Sequence, residues 1–259
     1  MSHISFSELK NWDRCPFYHK LTYIDKLRLF QGNVFTAFGT AMHTVCEQLL
    51  MEKCSNPDET FKASFKEELT SLPESVDCDH NLIKNMVFQA HDLFPLVIPA
   101  VREYFGDDYE VISVEEQLME PIDGFEDYNF KGYIDLVIKT PDEKYHVIDW
   151  KSCSWGWDTR KKSDKMILYQ LVYYKRYFSQ KHNVDPKDVE VHFGLLKRTA
   201  KKEKIEIFRV SSGEKRTKNA INFLNKAVYN ITNKKFTKNK LACHGPFGPC
   251  EFLNTEHCT

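Results

Sequence analysis

Residues 132–151 read Gly-Tyr-Ile-Asp-Leu-Val-Ile-Lys-Thr-Pro-Asp-Glu-Lys-Tyr-His-Val-Ile-Asp-Trp-Lys. Two runs rich in Ile, Val and aromatic residues flank the turn signal Pro141-Asp142, and the stretch therefore predicts two antiparallel strands. Each run carries a carboxylate among apolar neighbours: Asp135 between Ile134 and Leu136, Asp149 between Ile148 and Trp150. A lone buried carboxylate is costly unless it is paired or metal-bound. Folding the two strands about Pro141 brings Asp135 and Asp149 together at one end of the sheet, where two like charges call for a divalent cation. Hard oxygen ligands of this kind select Mg2+ or Mn2+. Lys151 lies two residues beyond Asp149, on the same face of its strand. Its ammonium is placed to orient a water and to neutralise charge developing on a phosphate. For the Asp149-Lys151 pair taken alone, an ordinary ion pair is the plainer reading.

Outward from this hairpin, residues 109–118 predict a preceding strand, 163–180 a helix, 189–196 and 204–210 two more strands, and 212–232 a last helix. Before residue 106 the period is helical. A short opening helix has Ser5 or Ser7 as its cap and stops at Cys15-Pro16. Helices follow over 34–54, 57–70 and 80–105, the last kinked or divided by Pro95 and Pro99. In the 34–54 helix the stripe Phe35, Phe38, Met42, Val45 and Leu49 is expected to face the core, leaving His43 and Glu47 one turn apart on a neighbouring face. The fold class is α/β: a mixed central sheet flanked by helices, with a helical N-terminal part. The chain reads as one domain, with a mainly helical part (1–106), a catalytic core with a basic surface (107–240) and a Cys-rich tail (241–259).

The chain has 259 residues, 42% of them hydrophobic and 28% charged, which suits a folded domain and excludes intrinsic disorder. Neither a membrane-spanning run nor a signal-peptide layout is present, so a soluble intracellular protein is expected. Loops of the GxxxxGK[ST], GxGxxG and GxSxG types and an HExxH helix are missing, which argues against nucleotide hydrolysis and serine-hydrolase chemistry. The net charge of −1 hides a strong segregation. Residues 1–150 hold 13 basic and 27 acidic side chains, whereas residues 151–240 hold 23 basic and 8 acidic. The second stretch suits a polyanionic partner, with a merely solvated lysine-rich face as the alternative. Arg160, Lys161, Lys162, Lys197, Arg198, Lys201 and Lys202 are its candidate phosphate contacts.

Two helical features converge on the carboxylates. In Phe-Gly-Thr-Ala-Met-His-Thr (38–44), Gly39 precedes His43 by one turn, letting that helix approach the sheet while His43 offers an imidazole. Gln170 lies in an apolar run and must find a partner for its amide. Tyr174 shares its face at i+4. Taken in order, Gly39-x-x-x-His43, Gly132-x-x-Asp135, Asp149-x-Lys151 and Gln170-x-x-x-Tyr174 resemble the motifs of RecB-type nucleases of the PD-(D/E)xK superfamily. The resemblance covers residues 15–174 and implies a restriction-endonuclease-like core that hydrolyses phosphodiester bonds in DNA. By that resemblance His43, Asp135, Asp149 and the main-chain carbonyl of Trp150 bind the metal. Lys151 assists the attacking water, and Gln170 and Tyr174 arrange the substrate. Asp149 stands where many relatives have Glu.

The opening Ser-Phe-Ser-Glu-Leu-Lys-Asn-Trp-Asp-Arg-Cys-Pro (5–16) also resembles the first helix of this group. In the CRISPR-adaptation and AddB-type relatives its cysteine joins three near the carboxyl terminus around a four-iron cluster. Cys15, Cys243, Cys250 and Cys258 have that one-plus-three distribution, although the spacing of the last three departs from the family. His244 and His257 permit a zinc reading instead. Cys46, Cys54, Cys78 and Cys153 read as small hydrophobes or free thiols. The expected partner is DNA, single-stranded or with ends, with no membrane and with an unidentified helicase or recombination partner as a further possibility. The competing functions are a catalytically silent DNA-binding accessory protein and a hydrolase of some other phosphodiester.

Overall fold

The computed structural model describes residues 2–27, 31–245 and 248–258. Pro246, part of the tail that lacks helix-forming residues, lies outside them. The chain forms two compact units, one of Met1–Gln31, Leu118–Gly132 and Glu214–Thr259, the other of Gly32–Gln117 and Tyr133–Gly213.

In the first unit, β1 (Ser2–Ser5) pairs in parallel with residues 128–131, at the start of the long strand β3 (Phe125–Lys139). The α1 helix (Phe6–Arg14) starts where the Ser5 hydroxyl accepts the Glu8 N–H at 3.2 Å. It stops at extended Cys15 because Pro16 disfavours a helical residue before it. Pro16 opens α2 (Pro16–His19), which runs into a π-helical turn at Lys20–Ile24. The ring of Trp12 meets Phe223 of the last helix, α9 (Glu214–Thr232), edge-on at 5.6 Å. The β1 strand escapes sequence reading because four residues beginning Ser-His carry no period.

The second unit holds most of the central sheet. The β2 strand (Glu110–Ile122) precedes β3, whose end pairs antiparallel with β4 (Tyr145–Cys153). Across a crossover, β4 pairs in parallel with β5 (Val189–Lys197), and β5 pairs antiparallel with β6 (Ile205–Val210). The crossover carries a short α7 (Thr159–Lys162) and α8 (Lys165–His182). On the face opposite α8, α3 (Val34–Leu50), α4 (Pro57–Thr70), α5 (His80–His91) and α6 (Phe94–Phe105) pack a core that includes Phe38, Phe61, Phe65, Val97, Ile148 and Trp150. The central sheet is mixed and flanked by helices, as expected.

Two expectations are corrected. The 34–54 helix ends at Leu50, because Glu52 adopts a left-handed φ of 55° and Asn56-Pro57 caps and opens the next helix. Its buried stripe is Val34, Ala37, Phe38, Ala41, Met42, Val45 and Cys46, whereas Phe35 is 48% exposed. The Asn33 capping box sets the phase of the first turn and turns Phe35 to solvent. Pro95 falls at the start of α6 and divides the 80–105 segment, but Pro99 sits inside α6 without ending it.

Candidate active site

The ladder between β3 and β4 runs from Lys139↔Tyr145 to Leu136↔Ile148 and goes no further. Two residues further along β4, the Trp150 amide instead donates to Oδ2 of Asp135 at 2.6 Å. The strands splay at this point, and a carboxylate takes the place of a backbone acceptor. Asp149, 2% exposed, points toward α8, where its Oδ1 accepts from Nε2 of Gln170 at 2.7 Å. The same amide nitrogen donates to the Tyr174 phenol at 3.1 Å. The buried Gln170 thus spends both N–H bonds on fixing Asp149 and Tyr174, a positioning arrangement that answers its own need for partners.

Oδ2 of Asp149 is ion-paired with the Lys151 ammonium at 2.5 Å. Burial lifts the Asp149 carboxyl to about 6, with Lys151 opposing and Asp135 adding to the rise. Burial draws Lys151 down, but the carboxylates of Asp149 and Asp135 outweigh it and hold the ammonium above its ordinary value. From the α3 side, His43 brings Nδ1 to 3.5 Å from Oδ2 of Asp135. Burial lowers the imidazole, the Asp135 carboxylate more than reverses this, and Asp135 itself ends below the usual carboxylate range despite its burial. His43, Asp135, Asp149, Trp150, Lys151, Gln170 and Tyr174 are therefore gathered by four elements, α3, β3, β4 and α8, at one sheet end. Gly39 is where α3 comes close to β4, a Cβ there meeting the Ser152 hydroxyl at 3.4 Å.

Sequence reading missed one member. Glu115 on β2 has a carboxylate oxygen within 4.8 Å of both an imidazole nitrogen of His43 and an Asp135 oxygen. Its φ of 46° is a left-handed conformation that a non-glycine residue adopts at a cost, and the burial alternation of β2 breaks beside it at Ser113 and Val114. The irregularity turns consecutive acids to different partners: Glu115 to the cluster, Glu116 to Lys181 and His182. Burial, then the charge of Asp135, raises the Glu115 carboxyl. The signal available in the sequence was the acidic pair within a strand.

The set His43, Glu115 and Asp135, one imidazole and hard carboxylate oxygens, matches what Mg2+ or Mn2+ accepts, with the Asp149 carboxylate beside it, so these residues fit such an ion. A second His/Glu group, His146, Glu190 and His192, lies elsewhere on β4 and β5. Most of its polar atoms already have partners: Arg209 and Lys144 face Glu190, and His146 contacts both Thr140 and His192, whose buried Nδ1 makes no hydrogen bond.

In the first unit, Cys15, Cys243, Cys250 and Cys258 line one cavity of about 310 Å3 together with Phe17 and Tyr18. No three of these sulfurs lie within 4.8 Å of one another. His244 also lines the cavity and His257 does not. Of the basic candidates, Lys162 and Lys197 are paired with Glu206, and Arg198 is bonded to Gln89 and Ser154. Arg160, Lys201 and Lys202 are exposed.

Residues 3–255 match the PD-(D/E)XK nuclease superfamily, and the chain belongs to it. Its members are hydrolases of phosphodiester bonds. The fold is similar to the crystal structure of a Eubacterium rectale protein assigned as an exonuclease, with a TM-score of 0.61 and 11% identity over 98% of this chain and 86% of that one. A second solved structure, SSO0001, has 13% identity and a TM-score of 0.34 over 86% of this chain and 84% of that one. No curated protein matches the sequence. Among the described residues no helix is long and apolar enough to cross a membrane.

Proposed function

We propose that the chain is a Mg2+- or Mn2+-dependent deoxyribonuclease of the RecB type that degrades DNA from ends, in recombination, repair or replication. The observation that carries this reading is the meeting of His43, Glu115 and Asp135 beside the buried Asp149-Lys151 pair. His43, Glu115, Asp135, Asp149 and the Trp150 carbonyl would hold the ion. When bound, it supplies Lewis acidity toward water and the scissile phosphate. Lys151, kept protonated by its two carboxylate neighbours, orients the attacking water and neutralises charge building on the phosphate. Gln170, braced by Tyr174, fixes the rotamer of Asp149 and thereby the direction of the oxygen that faces Lys151.

The four cysteines are proposed to carry a four-iron cluster. Tetrahedral zinc with Zn–S near 2.3 Å needs sulfurs about 3.8 Å apart, and no three of these four gather within 4.8 Å; the cavity they line suits the larger centre. It would tie the tail to the Cys15-Pro16 junction, within the single nuclease domain.

The test is incubation of the purified chain with labelled single- and double-stranded DNA, linear and circular, with Mn2+ or Mg2+ against EDTA. Cleavage of linear DNA that EDTA abolishes is expected. A folded protein that binds DNA and cuts none of these substrates would instead be the silent accessory protein.

A further inference from the structure

The loop that follows β4 holds an indole in water. Trp155 is 73% exposed, four residues beyond Lys151, yet its neighbours are all anchored. The Ser154 carbonyl accepts both the Thr199 N–H at 3.0 Å and the Thr199 hydroxyl at 2.8 Å. Gly156 has a φ of 114° and lies so close to Lys197 that a Cβ would stand 3.0 Å from its Cδ. Trp157 packs edge-on against Phe193 at 5.0 Å, and the Asp158 carboxylate caps α7. The exposure of Trp155 is thus imposed by a fixed backbone rather than by a loose loop. An aromatic face held in solvent gains nothing for folding.

A second exposed ring belongs to the same place. Arg198 donates to the Ser154 hydroxyl at 2.9 Å while its guanidinium lies 5.1 Å from the centre of the Phe35 ring. One arginine therefore bridges Phe35, at the start of α3, to the residue just before Trp155. Both rings are near the chemistry. Phe35 precedes His43 by eight helical residues, about 12 Å, and Trp155 follows Lys151 by four, at most about 14 Å. Arg160, Lys161, Lys201 and Lys202, exposed on the segments that follow Trp155 and Arg198 in the chain, add positive charge.

We infer that Phe35 and Trp155, with Arg198 between them, stack the bases of a single-stranded DNA segment and lead it to the site at His43, Asp135 and Lys151. Exposed aromatic faces beside a basic surface are the means by which proteins hold single strands without reading sequence. Duplex DNA keeps its bases stacked on each other and presents only phosphates to such a surface. The inference deepens the proposed function and rests on it: it makes the preferred substrate an unpaired end.

The experiment measures binding of fluorescein-labelled oligo(dT) of twelve nucleotides, and of a blunt duplex, to the full chain carrying Asp149→Asn so that nothing is cut. Trp155→Ala and Phe35→Ala are each expected to raise the Kd for oligo(dT) about tenfold to a hundredfold. The duplex Kd should move less than threefold, and Trp155→Phe should restore single-strand binding. Melting curves by circular dichroism verify folding, which these exposed positions should leave intact. Unchanged oligo(dT) binding by folded Trp155→Ala, or equal losses for oligo(dT) and duplex, overturns the inference. If the chain without Asp149→Asn cuts DNA in Mn2+ while Trp155→Ala changes nothing, only the stacking role fails. A chain that neither binds nor cuts DNA removes the proposed function with it.

Discussion

Asp149 carries a predictable conflict between folding and function. In the metal-free chain its carboxyl sits at about 6 against an ordinary 3.8, chiefly through burial. Between those values the folded state binds a proton that the unfolded state lacks, so this group makes stability fall as pH rises through that window. Asp149→Asn is expected to melt at a higher temperature than the parent at pH 7 without metal, while cleavage drops about a thousandfold or more. Differential scanning calorimetry and a gel-based cleavage assay check the two halves. The His146-His192 pair has the opposite sign. Burial pushes His192 down to about 3, with the neighbouring His146 and Arg209 adding to it, and burial lowers His146 as well. The unfolded chain then binds more protons below pH 6.5, so this contribution is present at pH 7 and is lost as pH falls from 6.5 toward 3. Urea denaturation of His192→Leu should show a flatter loss of stability between pH 7 and 5 than the parent; parallel curves would refute the assignment.

At the scale of elements, β4 and β5 are locked by a size match. A Cβ on Gly194 would lie 2.3 Å from two ring atoms of Trp150, to which it is paired in the parallel ladder. Because Trp150 stands between Asp149 and Lys151, Gly194→Ala should destabilise the fold by about 1–3 kcal/mol through overpacking and lower cleavage by shifting the strand that presents both. Gly39→Ala, with 3.4 Å to Ser152, should be tolerated. Thermal melts and single-turnover rates of the two variants separate these outcomes. This lock was invisible in the sequence, since nothing local to residue 194 announces which ring faces it. The β3–β4 hairpin was legible because period, turn signal and interrupting carboxylates all lie within twenty residues. His43, Gln170 and Tyr174 were legible through the helical spacing around them. Glu115 was not, because a strand irregularity moves a side chain without leaving a pattern. Phe35 was assigned to the core because its spacing fits the apolar stripe, and only the Asn33 cap fixes its true direction.

For the whole molecule, the segregation of charge makes ionic strength the controlling variable. Binding to DNA should weaken steeply with salt, and neutralising Arg160, Lys201 and Lys202 together should flatten the logarithmic slope by about two to three units. An unchanged slope would place the DNA elsewhere. The cysteine cavity gives an independent prediction. Anaerobically purified protein should be brown and contain iron, and Cys15→Ala should lose both together with thermal stability. Colourless protein with four titratable thiols would leave the cavity as packing alone.

The carboxylate that ends the β3–β4 ladder constrains how this chain could decay over generations. Asp135, a proposed metal ligand, also accepts the Trp150 amide; its loss to alanine would strand a backbone donor inside the sheet. His43 and Glu115 carry no comparable duty to the backbone. A lineage relieved of selection for cleavage should therefore shed His43 or Glu115 first and keep aspartate or asparagine at 135. The last trace of the old activity would be a residue retained for the sake of the strand.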